Sequence, residues 1–405
     1  RDVALKMCEV RKAALVLGSA TPSIDTLASC EEGANPFRSW RHVVLPERPN
    51  CRPLPPVDVV DMGREFSNGS RSMFSKTLVD ALMGVHERGE KAVLLLNKRG
   101  FASFVLCREC GFVPTCPDCA VSLTYHERDN CLACHHCDHV EPVPPRCPRC
   151  GSPYLRKFGT GTERVEAELR QIVPDNMPIV RMDADSTKGK GAHERLLEQF
   201  RESEGGILLG TQMVSKGLDF ENVTLVGVLM IDKSLYAGDY LGYEKTFSLI
   251  TQVVGRCGRG SKKGRAYLQT FSPEHYVLNL AADQNYDEFF RQECEIRKAL
   301  LFPPYCDICE IGLSATEEHI CKKGADSFVK LFMQNLEGHG IPIRVLGPSA
   351  CSVAKVNGKF RYRIIIKCKN NKEFRSVMQA TLLDAYKSPA LDKVSFFADM
   401  NGEII

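Results

Sequence analysis

The sequence predicts an α/β protein: a parallel sheet layered by helices, interrupted by a cysteine-rich insertion and followed by a smaller α+β unit. Three observations carry this. Short apolar runs alternate with amphipathic helical patterns from Ser75 to Thr270, nine cysteines crowd between Cys107 and Cys150, and the alternation stops after Phe271. Strand–helix alternation argues for a parallel sheet covered on both faces. At 43% hydrophobic and 25% charged residues the 405-residue chain has an ordinary globular composition, which excludes wholesale disorder. No apolar run reaches the ~18–20 residues a bilayer span needs, and no basic-then-apolar segment opens the chain. With 53 basic and 50 acidic residues the net charge is only +3, so any nucleic-acid binding must come from local patches. Arg1 enters mid-pattern, which reads as a piece of a longer polypeptide.

Taken in order, Lys12 to Ser23 reads as an apolar strand ending in small hydroxylated residues, Gly18-Ser19-Ala20-Thr21-Pro22. Proline and arginine thicken from Pro46 to Pro56, a linker pattern. Strands are expected at Ala92–Leu96, Ile179–Met182, Gly206–Leu209, Thr224–Met230 and Ala266–Thr270. Helices are expected at Ser75–Arg88, Thr162–Ile172, His193–Arg201 and Tyr243–Val254. Beyond Phe271 come a helical stretch at Asp287–Leu300, a turn at Pro303–Pro304 and a strand at Arg361–Lys367. The expected units are residues 1–45, a linker over 46–74, an α/β lobe over 75–280 with the insertion at 105–152, and a C-terminal α+β domain over 281–405.

Within the insertion, Cys107/Cys110, Cys116/Cys119, Cys134/Cys137 and Cys147/Cys150 form four C-x-x-C pairs. Eight thiolates suffice for two tetrahedral zinc sites, and a closed four-cysteine site is structural because no coordination position is open. Gly111 and Gly151, each just after the second cysteine of an outer pair, suit a knuckle with positive φ. The shared C-x-x-C-G pattern suggests that the outer pairs hold one metal and the inner pairs the other. Sequential and cross-braced pairings remain open, as does a redox cluster. Cys131 starts a further C-x-x-C but is taken as a non-ligand, and His126, His135, His136 and His139 are alternative donors.

Three segments of the α/β region suit phosphate chemistry. Ser19 and Thr21 offer hydroxyls at a strand end. Gly210-Thr-Gln212 and Lys216-Gly217-Leu-Asp219 follow a strand, at the carboxyl edge where α/β sheets bind ligands. Gln252, Arg256 and Arg259 close an amphipathic helix, and arginines so placed can stabilise charge on a transferring phosphoryl group. Each segment alone is weak: a strand-end S-A-T or a lone G-R-x-G-R is more often a solvated turn. Gly159-Thr-Gly161 reads as a plain loop. Lys98-Arg99 and Lys188-Gly-Lys190 suit a DNA track or a solvated surface equally well.

These segments resemble motifs III, V and VI of superfamily 2 helicases. With the paired cysteine insertion, Leu96-Asn-Lys-Arg-Gly100, Thr124-Tyr-His126, Gly161-Thr-Glu-Arg164, Arg181-Met-Asp-Ala-Asp-Ser186 and Phe302-Pro-Pro304, the chain is similar nearly end to end to the primosomal protein N′ family of bacterial replication-restart helicases. The resemblance implies two RecA-like lobes, residues 1–45 ending the first and 75–280 forming the second. It implies an ATP-dependent 3′→5′ DNA helicase that acts on stalled or abandoned forks and starts primosome assembly. Arg256 and Arg259 would reach the γ-phosphate with Gln252 beside them, Gly217 and Asp219 would border the nucleotide, and Ser19 and Thr21 would couple hydrolysis to lobe movement. It further implies two structural zinc ions, ATP and Mg²⁺ in the parent protein, and binding to branched and single-stranded DNA. Single-strand-binding protein and other primosome proteins would be partners, and the setting would be a monomer in the bacterial cytoplasm, associated with the nucleoid.

The chain departs from the family pattern in three ways. No G-x-x-x-x-G-K-[ST] loop and no D-E-x-H box occur in the 405 residues, so both are expected before Arg1 and this chain alone is expected to hydrolyse ATP negligibly. Leu241 and Lys245 stand where the family carries arginines, and Cys257 where alanine is expected. Two alternatives stand beside this reading: a catalytically dead zinc-stabilised scaffold, and another superfamily 2 enzyme such as a branch-migration helicase, against which the cysteine insertion argues.

Overall fold

A computed structural model describes residues 1–30, 41–45, 54–96, 104–118, 121–126, 130–134, 137, 139–158, 162–183, 186–187, 191–211, 222–258 and 262–402. The leading segment holds helices α1 (Asp2–Arg11) and α2 (Ile24–Ala28). The central unit comprises β1 (Val57–Asp61), α3 (Met62–Ser67), α4 (Lys76–Glu87) and β2 (Lys91–Leu96), then the insertion. The insertion contains β3 (Phe104–Cys107), β4 (Thr124–His126), β5 (Cys131–Ala133), β6 (Val140–Pro142) and β7 (Leu155–Phe158). The central unit resumes with α5 (Thr162–Ile172), β8 (Ile179–Met182), α6 (Ala192–Glu202), β9 (Gly206–Gly210), β10 (Val223–Leu229), α7 (Asp232–Leu235), α8 (Gly242–Val254) and β11 (Arg265–Thr270). After α9 (Tyr276–Ala282) and α10 (Tyr286–Leu300), the last unit runs β12 (Asp307–Ala315), α11 (Glu318–Leu336), β13 (Arg344–Val356), β14 (Lys359–Cys368), α12 (Lys372–Lys387) and β15 (Ser395–Met400).

Six parallel strands, in the order β1-β11-β10-β2-β9-β8, form the central sheet. Its strands read as continuous apolar runs because both faces are covered. Val93, Leu95, Leu208, Val226, Val228 and Leu268 face α6, α8, α9 and α10, whereas Ala92, Leu94, Leu96, Ile207, Leu209 and Leu225 face α4 and α5. The expected strands and helices of this lobe form, each within a residue or so of its expected ends.

Two expectations fail. Residues 12–23 form no strand: no strand among the described residues lies beside them to pair their backbone, and Val16 is left 89% exposed. The expected linker over 46–74 instead supplies β1 and α3. Val57 to Asp61 pair in parallel with Ala266 to Thr270, so this stretch is an edge of the lobe's own sheet. The prolines before it masked a short V-D-V-V-D run whose alternation is completed only by a partner more than 200 residues away.

The cysteine module leaves after β2 and returns before α5 through an antiparallel neck, β3 with β7, which brings Cys107 opposite Leu155. Beyond the neck lies a three-stranded sheet, β4-β5-β6. The last unit is a four-stranded antiparallel sheet, β13-β14-β12-β15. On one face Ile311, Leu313, Ile364 and Ile366 pack under Phe328, Phe332, Phe374 and Val377 of α11 and α12. On the other, Ile308, Ile365 and Leu346 meet Phe302 and Tyr240, whose rings stack at 5.2 Å. The alternation of β12 and β14 thus glues the unit both to its own helices and to the central lobe.

Candidate metal centre and helicase motifs

Among the described residues, two thiol groups form in the module. The sulfurs of Cys107, Cys110, Cys147 and Cys150 lie within 4.8 Å of one another, as do those of Cys116, Cys134 and Cys137. Cys119, the eighth expected ligand, lies outside the described residues, as do His135 and His136. Cys131 sits in β5 and belongs to neither group. Sulfur–sulfur distances are 3.6 Å for Cys107–Cys150 and for Cys110–Cys147, and 3.4 Å for Cys116–Cys137. These are far beyond a disulfide's ~2.05 Å. They approach the ~3.8 Å edge of a tetrahedron built on ~2.3 Å zinc–sulfur bonds, so the donor set fits zinc.

The outer knuckles repeat one local design. Cys107 N–H donates to the Phe112 carbonyl and Gly111 N–H to that of Cys107; Cys147 N–H donates to Ser152 and Gly151 N–H to Cys147. Burial pushes the Cys110 and Cys150 thiols up. Burial works the same way on Cys147, but the backbone N–H groups of Cys150 and Arg149 overcome it and hold that thiol down. A divalent cation would relieve this mutual desolvation. Gly111 has φ +69°, and a Cβ there would fall 1.9 Å from the Phe271 carbonyl oxygen. The glycine therefore serves the knuckle and lets the module press against the end of β11.

Outside the module, Thr21 Oγ1 lies 2.9 Å from Ser248 Oγ, which accepts a hydrogen bond from Gln252 Nε2 at 3.0 Å. Ser19 Oγ accepts from Thr21 N–H at 3.1 Å, tightening the turn. Thr21 and Gln252, expected in separate motifs, thus meet through Ser248, which sequence reasoning missed. Its only signal was its place four residues before Gln252, on the same face of α8. Just after this turn Ile24 is fully buried in the lobe core, and Tyr286 Oη donates to the Pro22 carbonyl.

The end of α8 carries half-buried Arg256 and buried Cys257. Gly258 has φ +67° and donates to the Val223 carbonyl at 3.0 Å; a Cβ there would meet Gly264 N at 2.7 Å. That bond ties the end of α8 to the start of β10. Burial pushes the Cys257 thiol up to about 12, an inert packing group. Gly217, Asp219 and Arg259 lie outside the described residues, as do Lys98, Arg99, Lys188 and Lys190.

The start of α8 is held by a second group that the sequence did not announce. Arg297, 1% exposed, donates to Glu293 Oε1 at 3.0 Å, Glu244 Oε2 at 2.9 Å and the Pro303 carbonyl at 3.2 Å. Burial opposes its charge, but Glu244 and Glu293 outweigh that and hold its pKa above the ordinary arginine value. Lys245, in the stretch that departs from the family pattern, pairs with Asp239 at 2.9 Å.

Comparison with known proteins places these features together. The model of the PriA DNA helicase Cys-rich region matches residues 116–142, the helicase conserved C-terminal domain matches 158–261, and the primosomal protein N C-terminal domain matches 298–399. The replication restart protein PriA of Bacillus subtilis is 43% identical over 402 residues, 99% of this chain. The chain matches a C-terminal portion of the PriA proteins. The Synechocystis PriA is 40% identical over 91% of the chain and that of Haemophilus influenzae 32% over 98%. The chain spans about half the length of these PriA relatives: 49%, 44% and 52%. The three matched regions follow the order seen here of cysteine module, helicase lobe and C-terminal antiparallel unit. The PriA Cys-rich match covers the inner cysteines and leaves the outer pairs at its flanks. Among the described residues no helix is long and apolar enough to cross a membrane.

Proposed function

We propose that this chain forms the second RecA-like lobe, zinc module and C-terminal domain of a monomeric, ATP-dependent 3′→5′ DNA helicase. In this reading the parent protein acts on stalled or abandoned forks in the bacterial cytoplasm and begins primosome assembly with single-strand-binding protein and other primosome proteins. ATP with Mg²⁺ supplies the phosphoryl group whose hydrolysis drives the motor. Arg256 and Arg259 stabilise charge on that group from this lobe, with Gln252 orienting beside them and Gly217 and Asp219 at the cleft's border. Cys107, Cys110, Cys147 and Cys150 hold one zinc ion, and Cys116, Cys119, Cys134 and Cys137 the other.

The observation that carries the reading is the link from Thr21 through Ser248 to Gln252. It joins the segment resembling motif III to the helix resembling motif VI, so a shift of one is felt by the other within two hydrogen bonds. This chain contains no phosphate-binding lysine loop, so it hydrolyses ATP negligibly by itself. The test is DNA-stimulated ATP hydrolysis by the purified chain and by the same chain joined to a lobe carrying the missing loop. Only the joined protein should turn over, and Arg256→Ala should lower its kcat by about 10³ or more. Turnover by the chain alone, or an indifferent Arg256→Ala, would overturn the assignment.

A further inference from the structure

Beside the carboxyl ends of β1, β10 and β11 lies a cavity of about 110 Å³ that neither the thiol groups nor the Thr21–Ser248–Gln252 link lines. Arg71 reaches it from the loop after α3, Arg108 from the knuckle between Cys107 and Cys110, and Arg164 from the first turn of α5. Arg156 stands on β7 of the same neck, opposite Leu106. All four residues are exposed.

Among the described residues, no carboxylate forms an ion pair with any of them. Arg71 donates to the carbonyls of Phe66 and Ser70, and its guanidinium lies 3.9 Å from the centre of the Phe66 ring. Arg156 donates to the Leu155 carbonyl. The acids of the lining are Glu65 and Asp232. Asp232 is fully buried and already accepts from Thr270 Oγ1 and the Phe271 N–H.

Solvated surface arginines ordinarily stand apart or beside acids. Here separate elements bring like charges together above an apolar floor of Met62, Phe66, Met73 and Phe271, which costs free energy until something negative covers them. Guanidinium forks suit phosphate oxygens, and an apolar floor suits sugar and base. These arginines come from two structural units and are open to solvent, which leaves room for an extended polyanion.

We propose that Arg71, Arg108 and Arg164 grip consecutive phosphates of a single DNA strand at the junction of the helicase lobe and the cysteine module. This rests on the reading of the protein as a DNA motor. Because Arg108 lies inside the first knuckle, a bound strand touches the outer metal site directly. The module thereby acts as one wall of the strand's path and is more than a spacer.

The test is anisotropy of a labelled oligothymidylate with the purified, zinc-loaded chain over a range of KCl. Each phosphate contact on a single strand contributes about 0.7 to the slope of log affinity against log salt. The triple variant Arg71→Gln, Arg108→Gln, Arg164→Gln should lose about 2 from that slope and bind at least tenfold more weakly at low salt. The double variant Arg71→Gln, Arg164→Gln leaves the knuckle untouched and should lose about 1.4, with zinc content unchanged. Arg201→Gln, on α6 at the far edge of the sheet, should change neither quantity. Retention of the wild-type slope and affinity by the double variant would overturn the proposal while leaving the motor reading intact. Failure of the wild-type chain to bind the oligonucleotide would overturn both. Pyrophosphate binding that needs these arginines, with oligonucleotide binding indifferent to them, would make this a small-anion site.

Discussion

The cysteine module is inserted into the chain of the central sheet, and the two are held together by different physics. The sheet buries apolar side chains on both faces, and its strands β2, β9 and β10 are buried along their whole length. The module's strands β4, β5 and β6 are three residues each, and its core is small: Val105, Leu123, Leu132 and Leu155 packed among the cysteines. Such short strands cannot offset the entropy of ordering them. The sheet is stable because of what it excludes from water, the module because of what its thiols are able to hold.

The sharpest way to break this contrast is to remove the metal. Chelation, or Cys107→Ser, should abolish amide-exchange protection in β3 to β7 and leave β2, β9 and β10 protected. Structural zinc in small modules contributes about 10–16 kcal/mol, more than this core can replace. Elemental analysis should find two zinc ions per chain beforehand. Collapse of the central sheet on chelation would show that the two regions do not stand apart.

The converse experiment is Leu208→Ala in β9, a fully buried position of the sheet. It should destabilise the lobe by about 2–5 kcal/mol in urea titrations, without altering zinc content.

A smaller effect sits where the regions meet. Burial raises Asp232 to about 6 and lowers His275 to about 4. Between about pH 4 and 6, folded Asp232 keeps a proton that the unfolded chain releases, so its share of stability falls as pH rises. Folded His275 refuses a proton that the unfolded chain takes up, so its share rises with pH up to about 6.5. The two trends oppose each other in the wild type. Asp232→Asn should gain stability relative to wild type as pH rises from 4 to 6, by at most about 1.4 kcal/mol per pH unit, and His275→Gln should lose it. Amide exchange of β11 at several pH values reads both slopes, and equal slopes in the two variants would contradict the assignment.

The smallest effect concerns the link between motifs. Thr21→Val keeps the shape of the side chain and removes the hydroxyl facing Ser248. It should cost about 1 kcal/mol in the local opening of α2 and leave the sheet untouched. Ser248→Ala removes this bond and also the one from Gln252, so it should cost at least as much, and adding Thr21→Val to it should change little.

Much of the fold was legible because its signals are local. Apolar runs such as Lys91–Leu96 and Val223–Leu229 announce strands buried on both faces, and C-x-x-C-G announces a metal knuckle with a left-handed glycine. The same locality misled at Lys12–Ser23, where an apolar run has no neighbouring strand among the described residues and so does not become one. The proline-rich approach to Val57 hid an edge strand for the matching reason: its partner, β11, lies more than 200 residues further on.

What the amino-acid order determined by itself was which segments can bury a face, which turns need glycine and which thiols stand at ligand spacing, since each depends on neighbours within a few residues. Only the tertiary structure decided that Thr21 meets Ser248, that Arg297 ties α10 to the start of α8, and that Arg71, Arg108 and Arg164 share one cavity. These groups converge from separate elements, and their meeting is set by sheet order and chain crossings that no local spacing encodes.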